Sequence, residues 1–144
     1  MSVDVIANAA NEGLRGGGGV DGAIHQAAGP ALLEECCRLY PDGGFTGGAV
    51  VTGGHNLHAE WVIHTVGPCW TGGDRGEPEL LAACYRNSLA ATADLDARTV
   101  AFPAISAGIF DYPAEKAAGI AVHTVREFLS EPGHGINEVV LVCF

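Results

Sequence analysis

The sequence predicts an α/β domain in which a mixed, largely parallel sheet lies between two layers of helices. Short apolar segments alternate along the chain with longer segments of helical periodicity, which is typical of strands joined by crossover helices. Several of these segments, such as residues 139–142 (VVLV), are apolar on both faces, so we expect both faces of the sheet to be buried. With 144 residues, 48% of them hydrophobic and 17% charged, the chain fits one folded domain.

The first third of the chain predicts one strand and two helices. Residues 3–7 (VDVIA) are a short, mainly apolar segment, which indicates a buried strand. Residues 20–28 show helical patterning that ends at Gly29. Pro30 is suited to the first position of a second helix over residues 30–40, so the two helices follow one another directly.

The middle of the chain predicts a hairpin. Residues 49–52 and 61–66 are apolar and indicate two strands. The intervening segment begins with Gly53-Gly54-His55-Asn56, which is rich in turn-forming residues. A short connection of this kind favours an antiparallel pair, and this pair makes the expected sheet mixed.

The second half predicts two helices, each followed by a strand. The helices cover residues 79–95 and 114–129, and the strands cover residues 99–105 and 138–144. On the first of these helices, one side consists of Leu80, Leu81, Cys84, Tyr85, Ser88 and Leu89. On the second, the spacing predicts a buried face of Ala118, Val122, Val125 and Leu129.

Composition restricts the class of protein. No apolar run approaches the ~20 residues needed to cross a bilayer, and no basic region followed by a hydrophobic stretch opens the chain. We therefore expect a cytoplasmic protein that does not contact membranes. The cysteines are odd in number and include no C-x-x-C pair, which favours free thiols over disulfides or a zinc site. They are Cys36, Cys37, Cys69, Cys84 and Cys143.

The net charge of −10, with only seven Lys and Arg residues, bears on possible ligands. A nucleic-acid-binding surface needs a clustered basic face, so nucleic acid is not an expected partner. An acidic domain that binds a phosphorylated ligand has to use backbone amides and helix dipoles.

A run of four glycines, residues 16–19, offers such amides at the start of the first predicted helix. Glycine lets the backbone approach a ligand closely, and a loop that enters a helix N-terminus presents free N–H groups to an anion, usually a phosphate. Asn8 and Asn11 precede this loop, while Asp21 and His25 lie one turn apart behind it. A carboxylate beside a phosphate site indicates a catalytic or ribose-holding group.

The ends of two predicted strands are expected to form one crevice. In open α/β sheets, ligands bind at the carboxyl ends of the strands. These ends are residues 8–19 after the first strand and residues 106–110 after the strand over 99–105, and both are rich in small residues.

Four segments resemble the macrodomain family, specifically its bacterial branch related to O-acetyl-ADP-ribose deacetylases. They are residues 3–11 (VDVIANAAN), 16–30 (GGGGVDGAIHQAAGP), 62–68 (VIHTVGP) and 100–110 (VAFPAISAGIF). One glycine loop is a weak signal, whereas four collinear motifs over nearly the whole chain are specific. The resemblance implies a three-layer α/β/α macrodomain with ADP-ribose in the crevice.

The resemblance also implies roles for individual residues. Asn8 and Asn11 contact or position the distal ribose, Asp21 holds or activates the attacking water, and His25 shapes the same pocket. One phosphate-facing loop consists of Gly17, Gly18, Gly19 and Val20. The other consists of Ser106, Ala107, Gly108, Ile109 and Phe110, with Phe110 packed against the distal ribose.

The residue types fit this chemistry independently. Carboxamides donate and accept hydrogen bonds toward ribose hydroxyls without bringing charge beside a diphosphate. A carboxylate at Asp21 could orient water toward the anomeric carbon or toward an ester on the ribose. Whether Asp21 or a phosphate of the substrate takes the proton stays open. No metal or organic cofactor is implied.

Each of these residues also has a purely structural explanation. The asparagines could form a turn at the strand end, Asp21 could cap the helix, and His25 could serve packing. Phe110 could belong to the core. For His55, His58 and His64, a structural role is favoured over metal binding, because no carboxylate or cysteine has matching spacing.

The chain departs from the family pattern at several positions. The family usually begins with an extra strand and a Gly-Asp-Ile/Leu-Thr segment that recognises adenine, and it usually ends with a further helix. Neither is present here, so we expect residues 1–144 to be a single macrodomain incomplete at both ends. Ala107 stands where Thr is common, and Asp111, expected to point to solvent, stands where Gly is common.

The leading hypothesis is a monomeric hydrolase that removes ADP-ribose from acidic protein side chains, deacetylates O-acetyl-ADP-ribose, or does both. The alternative is a reader that binds ADP-ribose without turnover. Asn11 and Asp21 favour the enzyme, because binding alone needs no group that orients water. A third possibility, an RNA-binding or regulatory protein-binding domain, is disfavoured for RNA by the shortage of basic residues.

Overall fold

A computed structural model describes residues 2–142, which form five strands and four helices. The elements in chain order are β1 (Val5–Ala10), α1 (Gly19–Ala28), α2 (Pro30–Leu39), β2 (Ala49–Gly53), β3 (Trp61–Val66), α3 (Glu77–Asp94), β4 (Thr99–Phe102), α4 (Ala114–Ser130) and β5 (Glu138–Leu141). Within the described residues, no helix is both long enough and apolar enough to span a membrane.

The sheet has the order β2-β3-β1-β4-β5. β1 lies in the centre and pairs in parallel with β3 on one side and β4 on the other, while β5 extends the parallel part beyond β4. β2 pairs with β3 antiparallel, which confirms the predicted hairpin and the mixed sheet. The central position of β1 places the residues that follow it in the middle of the carboxyl edge of the sheet.

Two hydrophobic cores cover the two faces of the sheet, as the predicted three-layer architecture requires. One core is formed under α3 and α4, where the rings of Tyr85 and Phe102 lie 5.0 Å apart between centroids. The other is formed under α1 and α2 around Leu14, Leu32 and Cys36. Full burial of a side chain the size of Leu32 contributes about 1.5–3 kcal/mol to holding α2 against the sheet.

Three predicted strand boundaries are wrong, two in β1 and one in β4. β1 starts at Val5 because the Asp4 carboxylate accepts hydrogen bonds from the backbone N–H groups of Arg98 and Thr99, which ties the chain to the start of β4. β1 also continues to Ala10 instead of ending at Ala7. β4 ends at Phe102, three residues early, since Pro103 has no N–H to donate to a ladder.

The helices match their predictions except for one face. α4 buries Ala117, Ala121, Thr124 and Val125, whereas Ala118 and Val122 of the predicted face are exposed. The small residues allow α4 to approach the sheet closely, so the longer Val122 side chain points outward. The predicted last strand ends at Leu141, and its final residues, 143 and 144, lie outside the described part.

Candidate functional site

A cavity of about 700 Å³ lies at the carboxyl ends of β1 and β4, where the two predicted loops face each other. This size falls within the range of small-molecule sites. The predicted residues that line it are Asn11, Gly18, Gly19, Val20, Asp21, Ser106, Ala107, Gly108, Ile109 and Phe110. The expectation that both strand ends form one crevice is confirmed.

The glycine loop leads into α1 without a side-chain cap. The N-cap residue is Gly18, and α1 begins at Gly19 with a φ of 59°, a conformation that side chains disfavour. The first N–H groups of a helix have no partner inside the helix, and the helix dipole gives this end a partial positive charge. The loop and the start of α1 therefore offer the cavity an anion-binding end built from backbone.

Asn11 shapes the glycine loop as well as lining the cavity. Its side-chain oxygen accepts a hydrogen bond from the backbone N–H of Leu14, and its Nδ2 donates to the carbonyl of Gly16, at 3.2 and 3.1 Å. Leu14 is held in the left-handed region with a φ of 56°. The structural explanation for an asparagine at this strand end is thus correct for Asn11, alongside its position at the cavity.

Asp21 combines burial with a free oxygen. It lies in the first turn of α1 with 4% of its surface exposed, and Oδ1 accepts a hydrogen bond of 2.8 Å from Asn8 Nδ2. His25 Nε2 lies 3.5 Å from the same oxygen. Oδ2 is buried and has no hydrogen-bond partner among residues 2–142. A buried carboxylate oxygen without a partner is costly, which is typical of a functional group.

Three predicted residues lie behind the cavity wall. The Asn8 side chain is fully buried and directed at Asp21 and His64, so it does not reach the cavity. A Cβ on Gly16 would contact the His25 ring, which places this ring under the glycine loop. Gly17 lies close to the Asn11 and Asp21 side chains. These three residues support the wall and do not form its surface.

The second loop closes the other side of the cavity. Ser106 has a φ of 65° and is buried, and its Oγ has no hydrogen-bond partner in the described chain. Ile109 is 72% exposed, and its Cδ1 lies 3.5 Å from the position that a Cβ on Gly18 would occupy. The two loops therefore approach each other across the cavity. Asp111 is exposed, as expected, and has a φ of 60°.

The remaining wall residues were not assigned individual roles from the sequence, although Ala9 and Ala10 lie within the expected crevice segment 8–19. They are small residues of strand ends and helix starts: Ala9, Ala10, Ala23, Gly67, Ala104 and Ala114. A Cβ on Gly67 would overlap the Ser106 hydroxyl, so only glycine allows this approach. The available signal was that all of these wall residues except Ala114 lie within the four segments that resemble the family.

His64 lies in the centre of a buried polar cluster. Its Nδ1 lies 3.2 Å from Asn8 Nδ2 and its Nε2 lies 2.9 Å from Thr52 Oγ1. Burial, together with the nearby His25, lowers the pKa of His64 to about 4, while Glu35 raises it slightly. His64 is therefore neutral near pH 7, and the prediction that it is a hydrogen-bonded structural histidine is confirmed.

His25, Cys36 and His64 place one possible metal-ligating atom each within 4.8 Å of one another. Both ring nitrogens of His64 are engaged by Asn8 and Thr52. Burial raises the pKa of the Cys36 thiol to about 11, which keeps it protonated. Both His64 nitrogens thus already take part in hydrogen bonds within the fold. The expectation that the protein binds no metal stays a prediction.

The family model for the Macro domain matches residues 7–121. The chain belongs to the macrodomain family. This match includes the whole cavity wall from Ala9 to Ala114.

Curated macrodomain relatives align with the entire chain. A macro domain-containing protein of Chlorobaculum tepidum is 58% identical over 144 residues, which are all of this chain and 82% of that protein. A Klebsiella pneumoniae protein named O-acetyl-ADP-ribose deacetylase is 53% identical over 146 aligned residues, covering all of this chain and 83% of the relative.

Solved macrodomain structures share the fold. An Oceanobacillus iheyensis macrodomain with ADP superposes with a TM-score of 0.89 at 44% identity, covering 98% of this chain and 77% of the other. A Trypanosoma brucei macrodomain in complex with ADP-ribose gives a TM-score of 0.91 at 40% identity, covering 99% of this chain and 59% of the other.

Proposed function

We propose that this macrodomain binds ADP-ribose and hydrolyses bonds at its distal ribose. The substrates would be ADP-ribose esters of acidic protein side chains, O-acetyl-ADP-ribose, or both. The observation that carries the proposal is the Asp21 carboxylate: it is 4% exposed at the cavity wall, with one oxygen held by Asn8 and the other without a partner in the described chain.

The cavity suits a diphosphate although the chain is acidic. Its two loops face each other and provide backbone N–H groups, and the uncapped start of α1 adds the positive end of a helix dipole. No lysine or arginine is among the wall residues of the cavity. Binding through amides explains how a chain with a net charge of −10 could hold an anion. Relatives solved with ADP or ADP-ribose support this ligand.

In the proposed reaction, Asp21 Oδ2 accepts a hydrogen bond from a water molecule and directs its oxygen at the substrate. For a protein ester, the water oxygen bonds to the anomeric carbon, and the bond to the side-chain carboxylate breaks. For O-acetyl-ADP-ribose, it bonds to the acetyl carbon, and the ribose oxygen leaves and takes a proton. The water proton passes either to Asp21 or to the substrate diphosphate.

The test is release of free ADP-ribose from a glutamate-linked mono-ADP-ribosylated protein, together with release of acetate from O-acetyl-ADP-ribose. Asp21→Ala is compared with the parent chain and with Asp42→Ala, which removes an exposed carboxylate outside the cavity. We expect release by the parent and by Asp42→Ala, and a loss of about 100-fold or more in Asp21→Ala. Addition of EDTA should leave the parent rate unchanged.

A reader of ADP-ribose is the second candidate, because Asp21 also has a structural position. A carboxylate in the first turn of α1 interacts favourably with the helix dipole, and it orders Asn8 in the sheet. Calorimetric binding of ADP-ribose separates the candidates. Tight binding by a parent chain that releases nothing would identify a reader, whereas equal loss of affinity and turnover in Asp21→Ala would exclude Asp21 as the catalytic group.

A further inference from the structure

A buried line of hydrogen bonds runs from the cavity wall across the sheet to the far edge strand. Asn8 on β1 and His64 on β3 are register partners in the parallel pair, so their side chains lie next to each other. Asn8 Nδ2 is 2.8 Å from Asp21 Oδ1 and 3.2 Å from His64 Nδ1. His64 Nε2 is 2.9 Å from Thr52 Oγ1 on β2. Three strands thus contribute to the support of one carboxylate.

The chemistry of the groups fixes the direction of each bond. The amide nitrogen of Asn8 can only donate, so His64 Nδ1 has to accept and the ring proton lies on Nε2. The Nε2–H group then donates to Thr52 Oγ1, whose hydroxyl lies 3.3 Å from the carbonyl oxygen of Gly53 as its own acceptor. A turned Asn8 amide would place its oxygen against the Asp21 carboxylate, where two acceptors repel.

Asn8 keeps this orientation although its own oxygen is left without a partner. Asn8 Oδ1 is buried and accepts no hydrogen bond from residues 2–142. Both N–H bonds of the amide are used, one toward Asp21 and one toward His64. The orientation of the Asn8 amide is therefore set by the two groups that accept from its NH₂, namely Asp21 Oδ1 and His64 Nδ1.

We propose that His64 is a positioning residue, which acts through Asn8 to hold the Asp21 carboxylate with Oδ2 free beside the cavity. The proposal deepens the proposed function and rests on it. His64 itself is 1% exposed and is absent from the cavity wall, so it touches neither ligand nor water at the reacting position. Loss of His64 should therefore lower the rate of the chemical step and leave the affinity for ADP-ribose nearly unchanged.

The neutral state of His64 is required for this role and is secured by its surroundings. The titratable groups near it are His25 on α1 and Glu35 and Cys36 on α2, while Asp21 is linked to it through Asn8. Burial is the largest cause that keeps the ring unprotonated near neutral pH. A protonated ring would carry a hydrogen on Nδ1 and could no longer accept from Asn8.

The experiment compares the parent with His64→Leu, His64→Asn and Leu89→Ala. Leucine removes the acceptor, whereas asparagine offers a carboxamide oxygen close to the position of Nδ1. Leu89 is a fully buried residue of α3, far from the network along the chain and outside the cavity wall, and its truncation is the control for lost stability. For each protein, three quantities are measured: kcat for the release of ADP-ribose and of acetate, the Kd for ADP-ribose, and Tm.

We expect His64→Leu to lower kcat by about tenfold or more while Kd changes by less than about threefold, with partial recovery in His64→Asn. Leu89→Ala should lose Tm and keep kcat. Equal kcat in His64→Leu and Leu89→Ala, or a parallel loss of kcat and affinity, would overturn the proposal.

Two measurements do not depend on turnover. Long-range ¹H–¹⁵N spectra of the parent should show a proton on Nε2 and none on Nδ1 of His64. A crystal structure of His64→Leu should show Asn8 turned away from Asp21. If the parent lacks turnover, the proposed function fails, while these two results still decide the positioning of Asp21. A proton on Nδ1, or an unmoved Asn8 in the variant, would refute it.

Discussion

The backbone N–H of Trp70 donates a hydrogen bond of 2.8 Å to the carbonyl of Phe110, which joins the loop after β3 to the second loop of the cavity. The Trp70 ring also packs on Tyr112, with 4.7 Å between ring centroids. Tyr112 in turn donates its N–H to the carbonyl of Ser106. The segment over residues 68–76 therefore braces the cavity wall from outside.

Glu77 holds this segment in place. Its buried carboxylate accepts hydrogen bonds from the backbone N–H groups of Thr71, Gly73 and Arg75 and from the Thr71 hydroxyl. Burial by itself raises the pKa of Glu77, but these backbone donors outweigh it and lower the pKa to about 2. The carboxylate thus replaces regular secondary structure as the organising element of the loop.

We expect Glu77→Gln to lower Tm and to weaken ADP-ribose binding, because the amide NH₂ would face an N–H donor and release the brace on Phe110. Glu79→Gln changes an exposed carboxylate in the same helical turn and is the matched control. Thermal unfolding and calorimetric titration with ADP-ribose measure both effects. Equal Tm values for the two variants would contradict the role assigned to Glu77.

The pKa of Glu77 also sets a window of acid instability. Because the folded-state pKa of about 2 is below the ordinary value of 4.5, the carboxylate stabilises the fold fully above pH 4.5, and this stability is lost as the pH falls toward 2. Urea unfolding of the parent between these limits should show a decline in the free energy of unfolding that Glu77→Gln lacks. A parallel decline in both proteins would disprove this assignment.

His64 predicts a second, separate window at higher pH. Its pKa is about 4 in the fold and 6.5 in the unfolded chain, so the unfolded chain binds a proton first as the pH falls below 6.5. The free energy of unfolding should therefore decrease by roughly 3 kcal/mol between pH 6.5 and 4. The decrease should vanish in His64→Asn and persist in His123→Gln, which changes an exposed histidine.

The order of strands and helices could be predicted because hydrophobic periodicity and Gly or Pro punctuation are local properties. The end of β1 could not. Asn8 is polar, which suggested that the strand stops before it, yet its amide NH₂ group finds acceptors inside the fold in Asp21 and His64, 13 and 56 residues away. Only the strand register brings these residues together.

In the candidate site too, features set by local sequence could be predicted, whereas features set by distant partners could not. The glycine loop and Asp21 form a local motif, so their common position could be predicted from the sequence. His64 occurs in the segment 62–66 (VIHTV), which looks like any apolar strand with one polar residue. Glu77 stands at the start of a helix and resembles an ordinary first-turn acid. The functions of both depend on partners that the folded chain supplies.

The cysteines should differ sharply in reactivity. Cys37 and Cys69 are exposed, whereas Cys36 and Cys84 are buried, and burial raises the pKa of both buried thiols. Because the thiolate is the nucleophile, iodoacetamide at about pH 8 should label Cys37 and Cys69 quickly and the buried pair only after unfolding. Peptide mass spectrometry measures the order. Labelling of Cys36 at the rate of Cys37 would show that α2 opens readily.

Gly22 on α1 tests whether the glycine loop depends on close packing against the helix. A Cβ at this position would overlap the carbonyl oxygen of Gly17, a backbone atom that cannot rotate away. Gly22→Ala should therefore push Gly17 and Gly18 off the start of α1 and disperse the amides that face the cavity. We expect an affinity for ADP-ribose lower by about tenfold or more, with a lower Tm.

Gly119→Ala on α4 is the control for this substitution, since its added Cβ would meet no atom within 4 Å beyond its own neighbouring helix backbone. Alanine should stabilise that helix by about 0.5–1 kcal/mol, because glycine is the poorer helix former, and ADP-ribose binding should stay the same. A lower Tm in Gly22→Ala and a higher Tm in Gly119→Ala would show that the loss of stability comes from the contact with Gly17 and not from alanine itself. Unchanged affinity in Gly22→Ala would mean that the ligand does not rely on this loop, and the amide cradle would have to be assigned to the loop around Gly108 alone.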